Sequence, residues 1–124
     1  MSKKKILVVS GGRRAASART LKGALTSIGR TRVISGTRAA GELRRHAYDI
    51  VVIDDGAMKR TLSLLADLKR RLRRAAVVVV KDDVSWQDAR ALFLAGAADV
   101  IFDPPATKVR LDELGSSVRV LLQG

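Results

Sequence analysis

The chain has 124 residues, 47% of them hydrophobic, and contains no cysteine. This length suits one domain covering residues 1–124, and the lack of cysteine excludes a disulfide framework, a thiolate nucleophile and a thiolate metal site. The apolar run near the amino end covers only residues 6–9, too short for the core of a signal peptide or for a membrane span. We therefore expect a soluble cytoplasmic protein with no membrane partner.

The net charge of +12 is concentrated in the first half of the chain. Residues 1–74 carry 19 Lys and Arg against 5 Asp and Glu, whereas residues 75–124 carry 5 against 7. A positive field of this size favours acidic partners such as nucleic acid or an acidic protein surface. A solvated basic face without a partner explains the same composition equally well, because net charge bears on association rather than on fold.

Strand and helix patterns alternate along the first half of the chain. Apolar and β-branched runs predict three strands, at 6–9, 32–35 and 50–53. Apolar residues at helical spacing predict a helix over about 14–28 that Gly29 ends, and a shorter helix over about 37–46. Strands separated by helices in this way indicate parallel pairing.

The alternation continues in the second half. A leucine stripe predicts the longest helix over about 58–74, and a valine run predicts a strand at 77–80. Ser85 is a candidate N-cap, with Asp88 at the capping-box position, for a helix that Gly96 ends. A fifth strand at 100–102 and a last helix from about 108 complete the pattern.

Five strands alternating with five helices predict a doubly wound α/β sheet with helices on both faces. Ligands and chemistry in such sheets gather outside the carboxyl ends of the strands. Asp54 is the first carboxylate after a buried strand, so it is the leading candidate site residue. The other residues that the topology places at this edge are Ser10, Gly11, Asp55, Lys81, Asp82, Asp103 and Pro104.

Four segments resemble, in order and spacing, the strand signatures of the bacterial response-regulator receiver domain. They are KKILVVS, YDIVVID, AVVVVK and AGAADVIFDPP, and the last is the most specific. The resemblance implies a flavodoxin-like sheet with strand order 2-1-3-4-5, and a cytoplasmic bacterial module of two-component phosphorelay signalling that is not itself an enzyme.

The resemblance also implies roles for individual positions, and most of them depart from the family pattern. Asp54 stands where the family has its phosphorylated aspartate. Ser10 and Gly11 replace the acidic pair that holds Mg²⁺ in the family, and a hydroxyl with a glycine cannot stand in for two carboxylates. We therefore predict neither a metal site nor another cofactor.

Three further family positions have changed. Lys81 replaces a hydroxyl, Val100 replaces the aromatic switch residue, and Asp103 replaces a lysine before proline. The cation has thus moved from one side of the predicted pocket to the other. One hypothesis is that Lys81 forms a fixed ion pair with Asp54 or Asp103; the alternative is that Lys81 is an ordinary exposed loop charge.

Other motifs give weaker signals. The segment SGGRR after the first strand is an anion site in principle, although a plain strand-to-helix turn is the better interpretation. His46 has no cysteine or second histidine as a partner, so we expect a capping or surface residue. Trp86 suits either an exposed partner anchor or core packing.

Three functions then compete. The favoured one is a pseudo-receiver, which binds a signalling protein through its fourth helix, fifth strand and fifth helix without phosphorylation; a second copy of the chain is a further partner class. The second is an active phosphoacceptor at Asp54, with Asp55 or Asp103 on the metal. The third is a nucleic-acid-associated protein that holds phosphates through arginines and lysines. Its candidate contacts are Arg13, Arg14, Lys69, Arg70, Arg71, Arg73 and Arg74.

Overall fold

A five-stranded, all-parallel sheet with strand order 2-1-3-4-5 organises the chain, as the sequence predicted. The computed structural model describes residues 4–11, 15–71, 75–81, 84–102 and 108–123. The strands are β1 (Lys5–Ser10), β2 (Arg30–Ser35), β3 (Ile50–Asp54), β4 (Ala76–Val80) and β5 (Asp99–Ile101). All five residues of β3 are buried, which is expected of the central strand of a sheet covered on both faces.

Five α-helices connect and follow the strands. They are α1 (Ala15–Leu25), α2 (Ala39–Arg45), α3 (Met58–Arg71), α4 (Trp86–Leu94) and α5 (Lys108–Gln123). Ser85 caps α4 as predicted, because its hydroxyl accepts a hydrogen bond from the backbone N–H of Asp88 at 3.1 Å. His46 is the exposed C-cap residue of α2, in agreement with its predicted capping or surface role. None of the described helices is long and apolar enough to cross a membrane.

The strands alternate their side chains between two apolar cores. Leu7 and Val9 of β1 face the core that also holds buried residues of α2, α3 and α4. Ile6 and Val8 face the opposite core, which holds buried residues of α1 and α5. The sheet is therefore the middle of three layers, and the helices leave the two ends of its strands open to ligands. We call the end where the strands finish the carboxyl edge and the end where they begin the amino edge.

Several element boundaries differ from the sequence prediction. α1 ends at Leu25 and not near residue 28, and a 3₁₀ turn (Gly36–Arg38) precedes α2, which begins only at Ala39. β5 begins at Asp99 and ends at Ile101, one residue earlier than predicted at each end. These are errors at element ends, where fraying and 3₁₀ geometry make apolar periodicity a poor guide.

Gly29 marks a close approach between the end of the α1 region and the start of β1. A Cβ added at Gly29 would lie 2.6 Å from the carbonyl oxygen of Lys4, which also accepts the N–H of Arg30 at 2.9 Å. We predict that Gly29→Ala lowers the free energy of unfolding by about 1–3 kcal/mol, because backbone must shift to admit the methyl group. Urea unfolding measures this loss.

Gly23 is the matched control for that substitution. It lies within α1 with nothing within 4 Å of an added Cβ, so Gly23→Ala should raise the free energy of unfolding by about 0.5–1 kcal/mol through helix propensity. Equal effects of the two alanines would contradict the described packing at Gly29.

Candidate functional site

The strand register brings most of the predicted site residues together at the carboxyl edge of the sheet. Asp54, the last residue of β3, is paired in register with Ser10 on β1 and with Val80 on β4. The backbone N–H of Gly11 donates to the carbonyl oxygen of Asp54 at 3.0 Å, and Lys81 follows directly after β4. The predicted cluster of Ser10, Gly11, Asp54 and Lys81 is thus observed as a spatial cluster.

Asp54 lies below the surface of this cluster. Its exposed fraction is 0%, and it ends a strand whose other four residues are apolar and buried. A carboxylate that attacks a phosphoryl donor must be accessible to it, so this burial bears directly on the role that the resemblance implies for Asp54.

Asp55 is held by an arginine from the first turn of α3. Its two carboxylate oxygens accept from Nε and from one terminal nitrogen of Arg60, each at 2.9 Å, and one of them also accepts from the N–H of Ala57 at 2.8 Å. This is a two-point pairing of planar groups, the strongest arrangement available to this pair of side chains. The carboxylate is buried, whereas 61% of the Arg60 side chain is exposed.

These contacts fix the charge state of Asp55. Burial by itself raises the pKa of this carboxyl group, but the hydrogen bonds from Arg60 and Ala57 and the positive charges of Arg60 and Lys81 outweigh it, so the pKa lies below its ordinary value. The same pairing raises the pKa of Arg60. Asp55 is therefore an ionised group with its acceptor capacity largely used.

Gly11 lies against the Asp55 carboxylate. A Cβ added at Gly11 would lie 2.0 Å from one carboxylate oxygen of Asp55, well inside any permitted contact. The Asp55 carboxylate therefore occupies the space that the Cβ of any larger residue at position 11 would need. The glycine and the position of the carboxylate are linked through this steric constraint.

Lys81 is a buried cation with an exposed fraction of 3%, so its interpretation as an ordinary exposed loop charge is wrong. Its ammonium donates to the carbonyl oxygen of Asp55 and, at 2.8 Å, to the hydroxyl of Thr61, which donates in turn to the carbonyl oxygen of Ala57 at 2.9 Å. The ion pair of Lys81 with Asp54 or Asp103 stays a hypothesis. The ammonium clamps the β3–α3 connection to the end of β4.

Sequence analysis did not identify Arg60 and Thr61 as site residues. Thr61 is fully buried and lies on the same side of α3 as Leu65 and Leu68. Leu65 follows Thr61 by four residues, and Leu68 follows Leu65 by three. A hydroxyl on an otherwise apolar stripe facing a sheet edge is a signal for a buried hydrogen-bond acceptor. Arg60 carried no comparable signal, because arginine is common on the exposed side of a first helical turn.

The described residues at this edge do not fit the divalent cation that the family resemblance implies. A hard cation prefers several free oxygen ligands, and Ser10 and Gly11 supply at most one hydroxyl beside Asp54. Asp55 is already engaged by Arg60, and the ammonium of Lys81 adds a second positive charge nearby. Within the described ranges there is also no cluster of three or more His, Cys, Asp or Glu side chains suited to a metal.

A cavity of about 460 Å³ opens at the same edge. It is lined by Ser10, Gly11, Asp55 and Arg60 together with polar residues that follow β2, whereas Asp54 and Lys81 do not line it. Solvent therefore meets the Asp55–Arg60 pair and not the predicted phosphoacceptor.

Several predicted contacts lie outside the described residues. These are Asp103 and Pro104 of the site, Asp82, and the arginines Arg13, Arg14, Arg73 and Arg74. Lys69 and Arg70 are exposed near the end of α3, and Arg71 is its last residue. The end of α3 lies at the amino edge of the sheet, opposite the cluster around Asp54, since each helix runs antiparallel to the strands it connects.

The outward side of α4 and the residue after β5 carry exposed apolar side chains. Trp86 is 69% exposed, so core packing of this residue is excluded in the described structure. Phe93 and Leu94 lie seven and eight residues further on, which places them on the same side of the helix, and Phe102 is also exposed. Three of the four aromatic residues of the chain therefore face solvent.

Comparison with solved structures finds response-regulator receiver domains. A response regulator from Thermotoga maritima is 25% identical and has a TM-score of 0.79, with 98% of this chain and 99% of that chain covered. An orphan response regulator of H. pylori is 19% identical with a TM-score of 0.80, covering 96% of each chain. An atypical orphan response regulator, described as having a phosphorylation-independent regulatory mechanism, is 19% identical with a TM-score of 0.77, covering 96% of this chain and 95% of its own.

No protein-family model matches the chain, and no curated protein sequence matches it. The similarity is therefore carried by structure over nearly the whole chain. It confirms the resemblance to receiver domains and the flavodoxin-like fold that the resemblance implied.

The pairing of Asp55 with Arg60 makes a prediction about stability and pH. Asp55→Asn should lower the free energy of unfolding by about 1–3 kcal/mol near pH 7, because a buried, charge-assisted pairing is lost. A depressed folded-state pKa contributes stability that is present above the unfolded pKa and is lost as the pH falls through the folded one. The difference between the two proteins should therefore shrink below about pH 4. Denaturant unfolding at pH 7 and pH 3 measures both effects.

Asp67→Asn is the matched control for Asp55→Asn. Asp67 pairs with Arg70 one helical turn away at 3.7 Å on an exposed surface, so this substitution should change stability by less than about 0.5 kcal/mol at either pH. A loss at Asp55 no larger than that at Asp67 would show that the Asp55–Arg60 pair does not organise the site.

Proposed function

We propose that the chain is a receiver-like module of phosphorelay signalling that works as a pseudo-receiver. It forms one domain over residues 1–124, catalyses no reaction and acts in the cytoplasm by binding a signalling protein independently of phosphorylation. Asp54 keeps the phosphoacceptor position without acting as an acceptor. The observation that carries the proposal is the arrangement of Asp55, Arg60 and Lys81 around that residue.

Two protein cations are bound to Asp55, the residue that follows Asp54 in the chain. The guanidinium of Arg60 is bound to the Asp55 carboxylate at 2.9 Å, and the ammonium of Lys81 is bound to the carbonyl oxygen of the same residue. Both charges are fixed by hydrogen bonds that exist without any phosphoryl group. We infer that these protein cations take the place of a removable one at this site.

Such an arrangement suits a module with one state better than a switch. A switch requires a charge or contact that differs between two states, and it shifts populations only by that difference. Here the buried clamp between Lys81 and Asp55 ties β4 to the β3–α3 connection whether or not Asp54 is modified. The position of the family's aromatic switch is filled by Val100, a β-branched residue buried in the core of the α2, α3 and α4 side.

The exposed apolar side of α4 supplies a partner surface that does not depend on the site. Trp86, Phe93 and Leu94 are 69%, 47% and 71% exposed. Aromatic side chains bury on the order of 150–250 Å² each when covered, and tryptophan is a frequent anchor of protein interfaces. These residues support binding through the fourth helix and the elements beside it.

One structural neighbour provides a precedent of the same kind. The atypical orphan response regulator with a TM-score of 0.77 is described by a phosphorylation-independent regulatory mechanism. That mechanism belongs to that protein, and the likeness to it concerns the fold. It supports the proposal by showing that this fold serves regulation without phosphorylation.

The first test asks whether the site binds a metal and a phosphoryl analogue. Amide NMR shifts around Asp54 and Lys81 should stay unchanged through millimolar Mg²⁺ and subsequent beryllofluoride, because the donor set offers too few oxygen ligands for a hard cation and Asp54 is buried. The same titration of Asp54→Asn serves as the control. Saturable shifts in the parent protein that disappear in Asp54→Asn would establish a working phosphoacceptor and overturn the pseudo-receiver.

The second test concerns the partner surface. The paired substitution Trp86→Ser with Phe93→Ser should lower the affinity for the signalling partner at least tenfold, because it removes two apolar anchors, while Asp54→Ala should leave the affinity unchanged. The partner is first identified by cross-linking in extracts of the source cells and then titrated as a purified protein by isothermal titration calorimetry, because the paired variant lacks the single tryptophan of the chain.

Arg90 provides the control for that second test, since it is exposed on the same helix and Arg90→Ser removes a polar side chain from it. Loss of affinity in Asp54→Ala, or equal losses in Arg90→Ser and the paired variant, would contradict binding through the apolar side of α4.

A further inference from the structure

The amino edge of the sheet gathers the starts of strands and the ends of helices. The N–H of Arg30 donates to the carbonyl oxygen of Lys4, and the N–H of Asp49 donates to that of Lys5, both at 2.9 Å; Ala76 donates to the carbonyl oxygen of Asp49 at 3.2 Å. These bonds link the approaches to β1, β2, β3 and β4. The last turns of α1, α2 and α3 return to the same edge because the connections are parallel crossovers.

Exposed cations occupy this edge, most of them on its β1, β2 and β3 side, whereas Lys69 lies beside Gly96 near the start of β5. Some stand at strand starts and others in the last helical turns, where they also complement the helix dipoles. We call the following set the basic edge: Lys5, Lys22, Arg30, Arg44, Arg45 and Lys69. All six are exposed. All six belong to the first half of the sequence, so part of its excess positive charge gathers at this one edge.

The carboxylates beside the basic edge are already engaged. Glu42 accepts from the hydroxyl of Tyr48 at 2.6 Å and pairs with Arg32 at 3.2 Å, and both contacts help to hold its pKa below the ordinary value. Asp49 accepts from the backbone N–H of Lys5 at 2.8 Å. In the described part of the chain, no ion pair joins a carboxylate to a side chain of the basic edge. The positive field of this edge therefore faces solvent.

A cleft of about 500 Å³ opens within the basic edge. Its polar lining includes the cationic side chains of Lys5, Arg30 and Arg32. The carboxylate of Glu42, which Arg32 and Tyr48 engage, also lines it, together with Thr26, Thr31 and His46. Burial and the hydrogen bond to Glu42 raise the pKa of the neighbouring Tyr48 to about 12, so this phenol stays neutral and adds no negative charge. The cleft presents more cations than carboxylates, because Glu42 is its one acidic lining residue and is already engaged.

We propose that the basic edge binds the phosphate backbone of nucleic acid, without regard to base sequence. Exposed guanidinium groups at Arg30, Arg44 and Arg45 offer paired N–H donors that match phosphate oxygens. The described large exposed apolar side chains, such as Trp86, lie on other elements, so the basic edge lacks the anchor that a protein interface needs. A phosphate backbone needs charge and not an anchor.

This assignment replaces part of the contact set that the sequence suggested. Lys69 remains, whereas Lys5, Lys22 and Arg30 enter because the topology brings strand starts and helix ends together. Lys22 and Arg30 are isolated in the sequence, so no run of basic residues indicated them. The proposal stands independently of the pseudo-receiver function, because it uses the opposite edge of the sheet.

Binding of a fluorescently labelled duplex of random sequence, followed by anisotropy from 50 to 200 mM salt, tests the proposal. The wild-type protein should bind with an affinity that falls steeply with salt, since each neutralised phosphate contributes about 0.9 to the logarithmic slope. The triple variant Arg30→Gln, Arg44→Gln, Arg45→Gln should bind at least tenfold more weakly at 50 mM salt, with a slope smaller by about two to three.

A second triple variant controls for net charge. Arg19→Gln, Arg38→Gln, Lys59→Gln removes the same charge from exposed positions away from the basic edge, and it should stay within about threefold of the wild type. Circular dichroism of both triples verifies that each is folded.

Three results would overturn the proposal. They are the absence of binding by the wild type at 50 mM salt, equal weakening by the two triple variants, and competition by polyglutamate as effective as that by unlabelled duplex at equal charge. The last result would assign the edge to acidic polypeptides. None of these results bears on metal or beryllofluoride binding at Asp54.

Discussion

The buried ammonium of Lys81 is the constraint on which the carboxyl edge of the sheet depends. Removing a charged group from water costs several kcal/mol unless polar partners replace the water, and here the carbonyl oxygen of Asp55 and the hydroxyl of Thr61 do so. Those two acceptors lie on the β3–α3 connection and on α3, whereas the cation follows β4. Satisfying Lys81 therefore fixes the relative positions of three elements around Asp54.

The other departures from the receiver pattern are consistent with that constraint. Once the carbonyl oxygen of Asp55 faces Lys81, its carboxylate lies over Gly11, where a Cβ would come within 2.0 Å of it. Arg60 then completes the pairing of the carboxylate from the first turn of α3. Gly11, Arg60 and Lys81 thus all contact Asp55 and together define its position.

Apolar runs and parallel connections predicted the sheet and the meeting of Ser10, Gly11, Asp54 and Lys81, whereas the strand order was implied by the resemblance to receiver domains. Arg60 and Thr61 could not be predicted in the same way. Their roles depend on the direction of the Lys81 side chain. That direction is set by the burial and hydrogen bonding of all the residues at the carboxyl edge. The exposure of Trp86 could not be predicted for a similar reason, because a small rotation of α4 turns a residue at its start either to solvent or to the core.

The separation of the two edges also determines what the excess positive charge can do. β3 has five residues, so Ile50 and Asp54 lie about 13 Å apart along the strand, and a Coulomb interaction weakens in proportion to such a distance. The exposed cations of the basic edge therefore contribute little to the potential at Asp54 compared with Lys81, which hydrogen-bonds to the adjoining residue. The cations of the basic edge are too far from Asp54 to stabilise charge on it. A long anion that crosses the amino edge can contact them directly. The same fold can thus keep a fixed site at one edge and present a separate charged surface at the other.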